Sequence, residues 1–194
     1  GVPREEEVRR AREQIARDAC DAAQRWARSA DVALLLGQPG GGFAAGSPVS
    51  LGPAPFALAF SDLNGDGLLD AVATNLLTSS VSHVLNQGNG VFSLMGATAV
   101  GSLPYSIVVT ELNGDGFPDL VTSNYGSDSL SVASGLPGAA FAPAVTVPAG
   151  LRPIDVSAVE LNGDGIVDLA VANYGSGDIL CLGSQNGVAL AQPT

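Results

Sequence analysis

The chain has no lysine, one histidine, one tryptophan, one methionine and two cysteines among its 194 residues, and aromatic residues make up only 5%. Cys20 and Cys181 are too few to build a disulfide scaffold. No apolar run is long enough to cross a bilayer, so no membrane span is expected. The opening residues lack the basic, apolar and cleavage-site pattern of a secretion signal. Positive charge is scarce and lopsided. Seven of the eight arginines fall between Arg4 and Arg28, and from Asp31 onward thirteen acids face Arg152 alone. With a net charge of -11, such a surface repels nucleic acid and anionic lipid and attracts cations.

Glycine is abundant, at 25 residues, as tight turns require, and 46% of the chain is apolar, enough for a sizeable core. The strongest pattern is internal repetition. Asp62-Leu-Asn-Gly-Asp-Gly-Leu-Leu-Asp70, Glu111-Leu-Asn-Gly-Asp-Gly-Phe-Pro-Asp119 and Glu160-Leu-Asn-Gly-Asp-Gly-Ile-Val-Asp168 align without a gap, 49 residues apart. The same spacing relates Phe43, Phe92 and Phe141; Gly52, Gly101 and Gly150; Pro55, Pro104 and Pro153; and Asn75, Asn124 and Asn173.

Around each acidic segment the apolar period is two, the period of a strand. Ile154–Val159 reads as a strand entering the segment and Leu169–Ala172 as one leaving it; Asp178–Leu182 is a third, and Ala144–Val147 ends the preceding unit. Four short strands in 49 residues match one propeller blade, whose faces must be covered by its neighbours. The expected fold is therefore all-β: a partial β-propeller of about three four-stranded blades over 31–194, with units near 31–79, 80–128 and 129–177 and a partial one at 178–194. Three blades fall short of the roughly four to eight of a closed ring. Residues 1–30 are expected to form a charged α-helix. Pro3 with Glu5, Glu6 and Glu7 suits a helix start, Glu5/Arg9, Glu6/Arg10 and Glu13/Arg17 are favourable i,i+4 pairs, and Val8, Ile15, Ala22 and Trp26 form a thin apolar stripe.

Calcium is a hard cation that takes six to eight oxygen ligands. Each acidic segment offers oxygen side chains at positions 1, 3, 5 and 9 and a backbone carbonyl at position 7. These are Asp62, Asn64, Asp66, Leu68 (carbonyl) and Asp70; Glu111, Asn113, Asp115, Phe117 (carbonyl) and Asp119; and Glu160, Asn162, Asp164, Ile166 (carbonyl) and Asp168. Carboxylates this close repel one another unless a cation lies among them, so up to three calcium ions are expected. The spacing also opens an EF-hand, but an EF-hand needs an acid at position 12 and a following helix. Position 12 is Ala73, Thr122 or Val171, and strand-like residues follow.

An Asp/Glu-x-Asn-x-Asp-Gly-x-x-Asp loop between two strands, once per blade, resembles the FG-GAP repeat shared by integrin α-subunit propellers and bacterial secreted proteins of the VCBS type. The resemblance covers 31–194. It implies calcium-binding loops between the first two strands of each blade, and an extracellular, periplasmic or cell-surface module for binding, adhesion or scaffolding. The Phe-Gly and Gly-Ala-Pro signatures of the family are degenerate here: neither Phe92 nor Phe141 precedes glycine, and Gly101-Ser-Leu-Pro104 stands for the second motif. Position 1 is usually Asp in the family. The extra methylene of Glu111 and Glu160 leads to the expectation that the Asp62 loop binds most tightly.

No catalytic constellation is visible, and the chain is read as a non-enzyme. His83 shares its register position with Leu34, Val132 and Cys181, an apolar strand position that suits packing, and Tyr125 and Tyr174 align in Asn-Tyr-Gly-Ser turns. Two further readings compete: a propeller fragment of a larger secreted hydrolase or lyase, and a structural spacer. The partners expected are calcium and an unidentified protein or glycan, with self-association through the open propeller edges as a further route.

Overall fold

The computed structural model describes residues 31–32, 35–37, 42–185 and 189–191. The helix expected over 1–30 lies outside the described residues. Every regular element among the described residues is a β-strand, and no helix there is long and apolar enough to cross a membrane.

Four short strands come first: β1 (Asp31–Val32), β2 (Leu35–Gly37), β3 (Phe43–Ala45) and β4 (Val49–Ser50). They form an antiparallel hairpin in which β1 pairs with β4 and β2 with β3. Three four-stranded antiparallel sheets come after it. The first is β5 (Pro55–Ser61), β6 (Asp70–Asn75), β7 (Ser80–Asn86) and β8 (Phe92–Ala99). The second contains β9 (Pro104–Thr110), β10 (Asp119–Asn124) and β11 (Ser129–Ala133), extended by the small ladder of β12 (Gly135–Leu136) with β13 (Ala140–Phe141), and closes with β14 (Val145–Pro148). The third is β15 (Pro153–Val159), β16 (Asp168–Asn173), β17 (Asp178–Gln185) and β18 (Ala189–Ala191).

The 49-residue spacing is thus a structural period. Pro55, Pro104 and Pro153 each open a first strand, and Asp70, Asp119 and Asp168 each open a second. Shifted by one period, 31–37 and 43–50 become 80–86 and 92–99, the bounds of β7 and β8. The leading hairpin is therefore the outer half of a blade. Units cut at 31, 80 and 129 each join the outer hairpin of one sheet to the inner hairpin of the next.

Local chemistry explains the shared strand entry. Proline has no N–H to give to the ladder, and pairing slips just after Pro55 and Pro153 and at Asn124, opposite Pro104. At the slip, the amides of Ala57 and Ser106 donate to Thr74 Oγ1 and Ser123 Oγ instead. The residue before each proline (Ala54, Leu103 and Arg152) takes a positive φ of 52–56°. Its carbonyl accepts the amide just past the second strand, from Leu76, Tyr125 or Tyr174.

The sheets stack face on face, with their first strands side by side: β5 beside β9, and β9 beside β15. Between the first and second sheets, Leu63, Val72, Val81 and Leu85 meet Ile107, Leu120 and Ala133. Between the second and third, Leu112, Val121 and Leu130 meet Val156, Leu169 and Val171. The core is thus a series of interlayer seams, each worth about 2–5 kcal/mol per large-to-alanine truncation.

Candidate metal centre

Each acidic segment is the turn from the first to the second strand of its sheet, so all three lie at the same end of the blades. Each turn runs directly into a strand (β6, β10 or β16), which excludes the EF-hand arrangement. Two glycines per loop stand at positive φ: Gly65 and Gly67, Gly114 and Gly116, Gly163 and Gly165. That backbone is strained for any residue with a Cβ.

Position 1 organises the loop. Asp62 Oδ1 accepts the amides of Gly65 (2.8 Å) and Asp66 (3.1 Å), and Oδ2 accepts that of Gly67 (2.8 Å). These bonds hold the Asp62 carboxyl below the usual carboxylate range, the Gly67 amide contributing most. In the second loop the longer Glu111 takes the amides of Asn113, Gly114 and Gly116; in the third, Glu160 takes those of Asn162 and Gly163. Glutamate therefore gathers a partly different set of amides to the same purpose. At position 5, Asp66, Asp115 and Asp164 each accept the amide two residues on, at 2.8 Å. At position 3, Asn64 Oδ1 accepts the Asp66 amide, and the equivalents Asn113 and Asn162 do the same.

Position 9 is different. Asp70, Asp119 and Asp168 are buried. Asp70 accepts the amides of Leu63 (2.9 Å) and Asn86 (2.8 Å), so one carboxylate ties the loop to the end of the third strand. Asp119 accepts those of Leu112 and Gly135, both at 2.8 Å, and Asp168 accepts that of Leu161. The loop pattern alone marks these acids only as ligands; the fold gives them a second role as buried pins. Burial pushes the Asp119 carboxyl up, its two backbone donors oppose this, and the charges of Glu111 and Asp115 push it up further.

That mutual repulsion is the observation that a cation fits. Each loop holds three acids, an amide oxygen and a candidate carbonyl, a hard all-oxygen donor set. Among the described residues no three acidic, histidine or cysteine side chains form a ready-made metal cage. A bound ion would therefore also draw on the Asn side chains and on the carbonyls of Leu68, Phe117 and Ile166.

The opposite end of the blades carries a latch whose residues were visible in the repeat register without a role. Asn124 Nδ2 donates to Ser131 Oγ (2.9 Å), which in turn accepts the Gly101 amide (3.0 Å). Asn75 does the same with Ser82, whose hydroxyl donates to the Leu51 carbonyl. In the third sheet Asn173 donates to Asp178 (3.0 Å). A Cβ on Gly101 would come within 2.5 Å of Asn124 Nδ2, so glycine is required there for close approach. Beside this latch Phe56, Tyr105 and Tyr125 form a ring-to-ring file at 4.8 and 4.7 Å, capped by Arg152 at 5.8 Å from the Tyr125 centroid. His83 is buried, its Nε2 3.0 Å from Thr98 Oγ1 and its ring edge-on to Phe141, in keeping with a packing role; Cys181 is exposed.

A family model described as FG-GAP-like repeat matches residues 62–122 and 111–171, together more than half of the chain. No curated relative matches. Among solved structures, the crystal structure of BBS1N in complex with ARL6DN, soaked with lead, aligns with a TM-score of 0.54 at 14% identity, over 87% of this chain and 53% of that one. The pore structure of the Photorhabdus luminescens Tc holotoxin, carrying a TccC3-D651A mutation, aligns at 0.46 and 19% identity, over 84% of this chain and 8% of that one. The chain thus spans about half the length of the first structure and a small part of the second. At this level of identity the first alignment speaks to the fold alone.

Proposed function

The chain belongs to the FG-GAP-like repeat family, and from that premise we propose that it is a calcium-binding, non-catalytic propeller-repeat module that serves binding or scaffolding outside the cell. The observation that carries this reading is the three-fold recurrence of an oxygen donor at every ligand position of the loop, on a chain whose acids outnumber its cations. In the first loop Asp62, Asn64, Asp66, Asp70 and the Leu68 carbonyl would hold the ion, and the corresponding residues would do so in the other two. When bound, calcium neutralises crowded carboxylates and stiffens the turn joining two strands.

The chain's own part is preorganisation. The loop glycines supply the left-handed turns, position 1 collects the loop amides, and the buried acid at position 9 fixes the loop to the third strand. Weak sites of this kind suit the millimolar calcium found outside cells. The test is a thermal melt in calcium and in chelator, paired with titration calorimetry. The melt is expected to rise with calcium, with up to three ions taken up. No uptake together with identical melts would sink the reading.

A further inference from the structure

We propose that Asn89 is a site of spontaneous deamidation, and that the acidic loops hold their own Asn-Gly pairs against the same reaction. The chain has five such pairs: Asn64-Gly65, Asn89-Gly90, Asn113-Gly114, Asn162-Gly163 and Asn186-Gly187. The last lies outside the described residues. In this chemistry the amide nitrogen of the following residue attacks the asparagine Cγ and loses its proton. A succinimide ring closes, and the side-chain nitrogen leaves as ammonia. Water then opens the ring at either carbonyl to give aspartate or isoaspartate. No electrons are exchanged with an outside group, and the chain gains one negative charge. Glycine in the second place favours the attack, because no Cβ obstructs the approach.

Exposure does not separate the pairs, since Asn64, Asn89 and Asn162 all face solvent. Hydrogen bonding does. In the first loop every reacting group is engaged: the Gly65 amide donates to Asp62 Oδ1 (2.8 Å), Asn64 Oδ1 accepts the Asp66 amide (3.0 Å), and Asn64 Nδ2 donates to Asp66 Oδ2 (2.9 Å). The second loop repeats all three bonds through Glu111 and Asp115. The third keeps two of them, through Glu160 and the Asp164 amide. In the turn from β7 to β8, by contrast, Gln87 bonds Val91 and Val91 bonds Gly88. Among the described residues neither the Asn89 side chain nor the Gly90 amide has a hydrogen-bond partner. Asn89 also stands at a φ of 52°, a region that costs an L residue energy, so opening its turn is cheap. The turn borders the first acidic loop, because Asn86 Nδ2 donates to the Leu69 carbonyl at 3.1 Å. The carboxylate formed at position 89 thus joins the acidic end of the sheets. This inference does not depend on calcium binding.

The test is incubation of the full chain in mildly alkaline buffer with chelator, natively and in denaturant. Timed peptide maps by mass spectrometry read the one-dalton gain at each pair separately. In the native protein Asn89 is expected to convert at least about tenfold faster than Asn64 or Asn113, whose bonds must open first. In denaturant, where only the shared Asn-Gly chemistry remains, the rates should converge. Asp62→Ala frees the Gly65 amide; it is expected to speed conversion of Asn64 while leaving Asn89 and Asn113, the internal controls for an intact fold, unchanged. Equal native rates overturn the proposal. So do a loop asparagine that converts first, a ranking that survives denaturant, or an Asn64 rate unmoved by Asp62→Ala.

Discussion

The two ends of the first two blades are held together by opposite means. At the loop end, charged oxygens at positions 1 and 5 sit in or near solvent and bond the backbone amides of a glycine-rich turn. At the latch end, a buried neutral amide bonds a serine hydroxyl against a glycine backbone. The first arrangement concentrates like charge, which on the proposed reading a bound cation would offset. The second leaves little room for change, and only Asn124 has its amide oxygen bonded, by Thr122, while those of Asn75 and Asn173 are buried without a partner among the described residues. On that reading, conditional stability belongs to one rim of the sheets and intrinsic stability to the other.

The largest expected effect lies at the latch. Gly101→Ala drives a Cβ against the buried, hydrogen-bonded Asn124, at a cost of about 3 kcal/mol. Denaturant unfolding should show the same loss in calcium and in chelator; a loss confined to one condition would erase the contrast between the rims. Next comes Asp66→Ala. It should be nearly silent in chelator and, with calcium a hundredfold above its dissociation constant, forfeit the gain from that one loop, about 2.7 kcal/mol. Paired melts measure it.

A third effect separates the loops by acidity. The Asp62 carboxyl is lowered, so its contribution to stability is present above the ordinary carboxylate value and is lost only as pH falls through the lower folded value. The Asp119 carboxyl is raised, so its contribution is full below the ordinary value and is lost as pH rises through the folded value. On acidification Asp119 takes up its proton first. The second loop should therefore release calcium at a higher pH than the first, as followed by calorimetry on single-loop variants. The smallest effect is Arg152→Ala, which removes the cation over Tyr125 and should cost about 0.5 kcal/mol, resolvable as a small shift of the melting temperature.

Much of this was legible beforehand because a repeat exposes its own rules. The spacing of Pro55, Pro104 and Pro153 and the acidic segments marked where strands begin and turn, since proline, glycine and clustered acids act locally on the backbone. The division of labour among the acids was not legible. Asp66 and Asp70 are the same residue type four positions apart, yet one lies on the surface and the other is buried against the amide of Asn86. That amide arrives from another strand, and no local pattern announces it. The latch was half visible, as an Asn and a Gly kept in register, but their contact links residues 23 apart through folding.

The sequence by itself determined the period, the strand-and-turn order and the oxygen donors of each loop, because these follow from backbone preferences and side-chain chemistry within a few residues. Only the tertiary structure decided which apolar positions are seams and which are bare. Leu112 and Leu161 occupy identical local sequence, Glu-Leu-Asn-Gly-Asp-Gly, and differ in exposure because one has a sheet stacked over it and, among the described residues, the other has none. Burial belongs to the neighbour as much as to the residue.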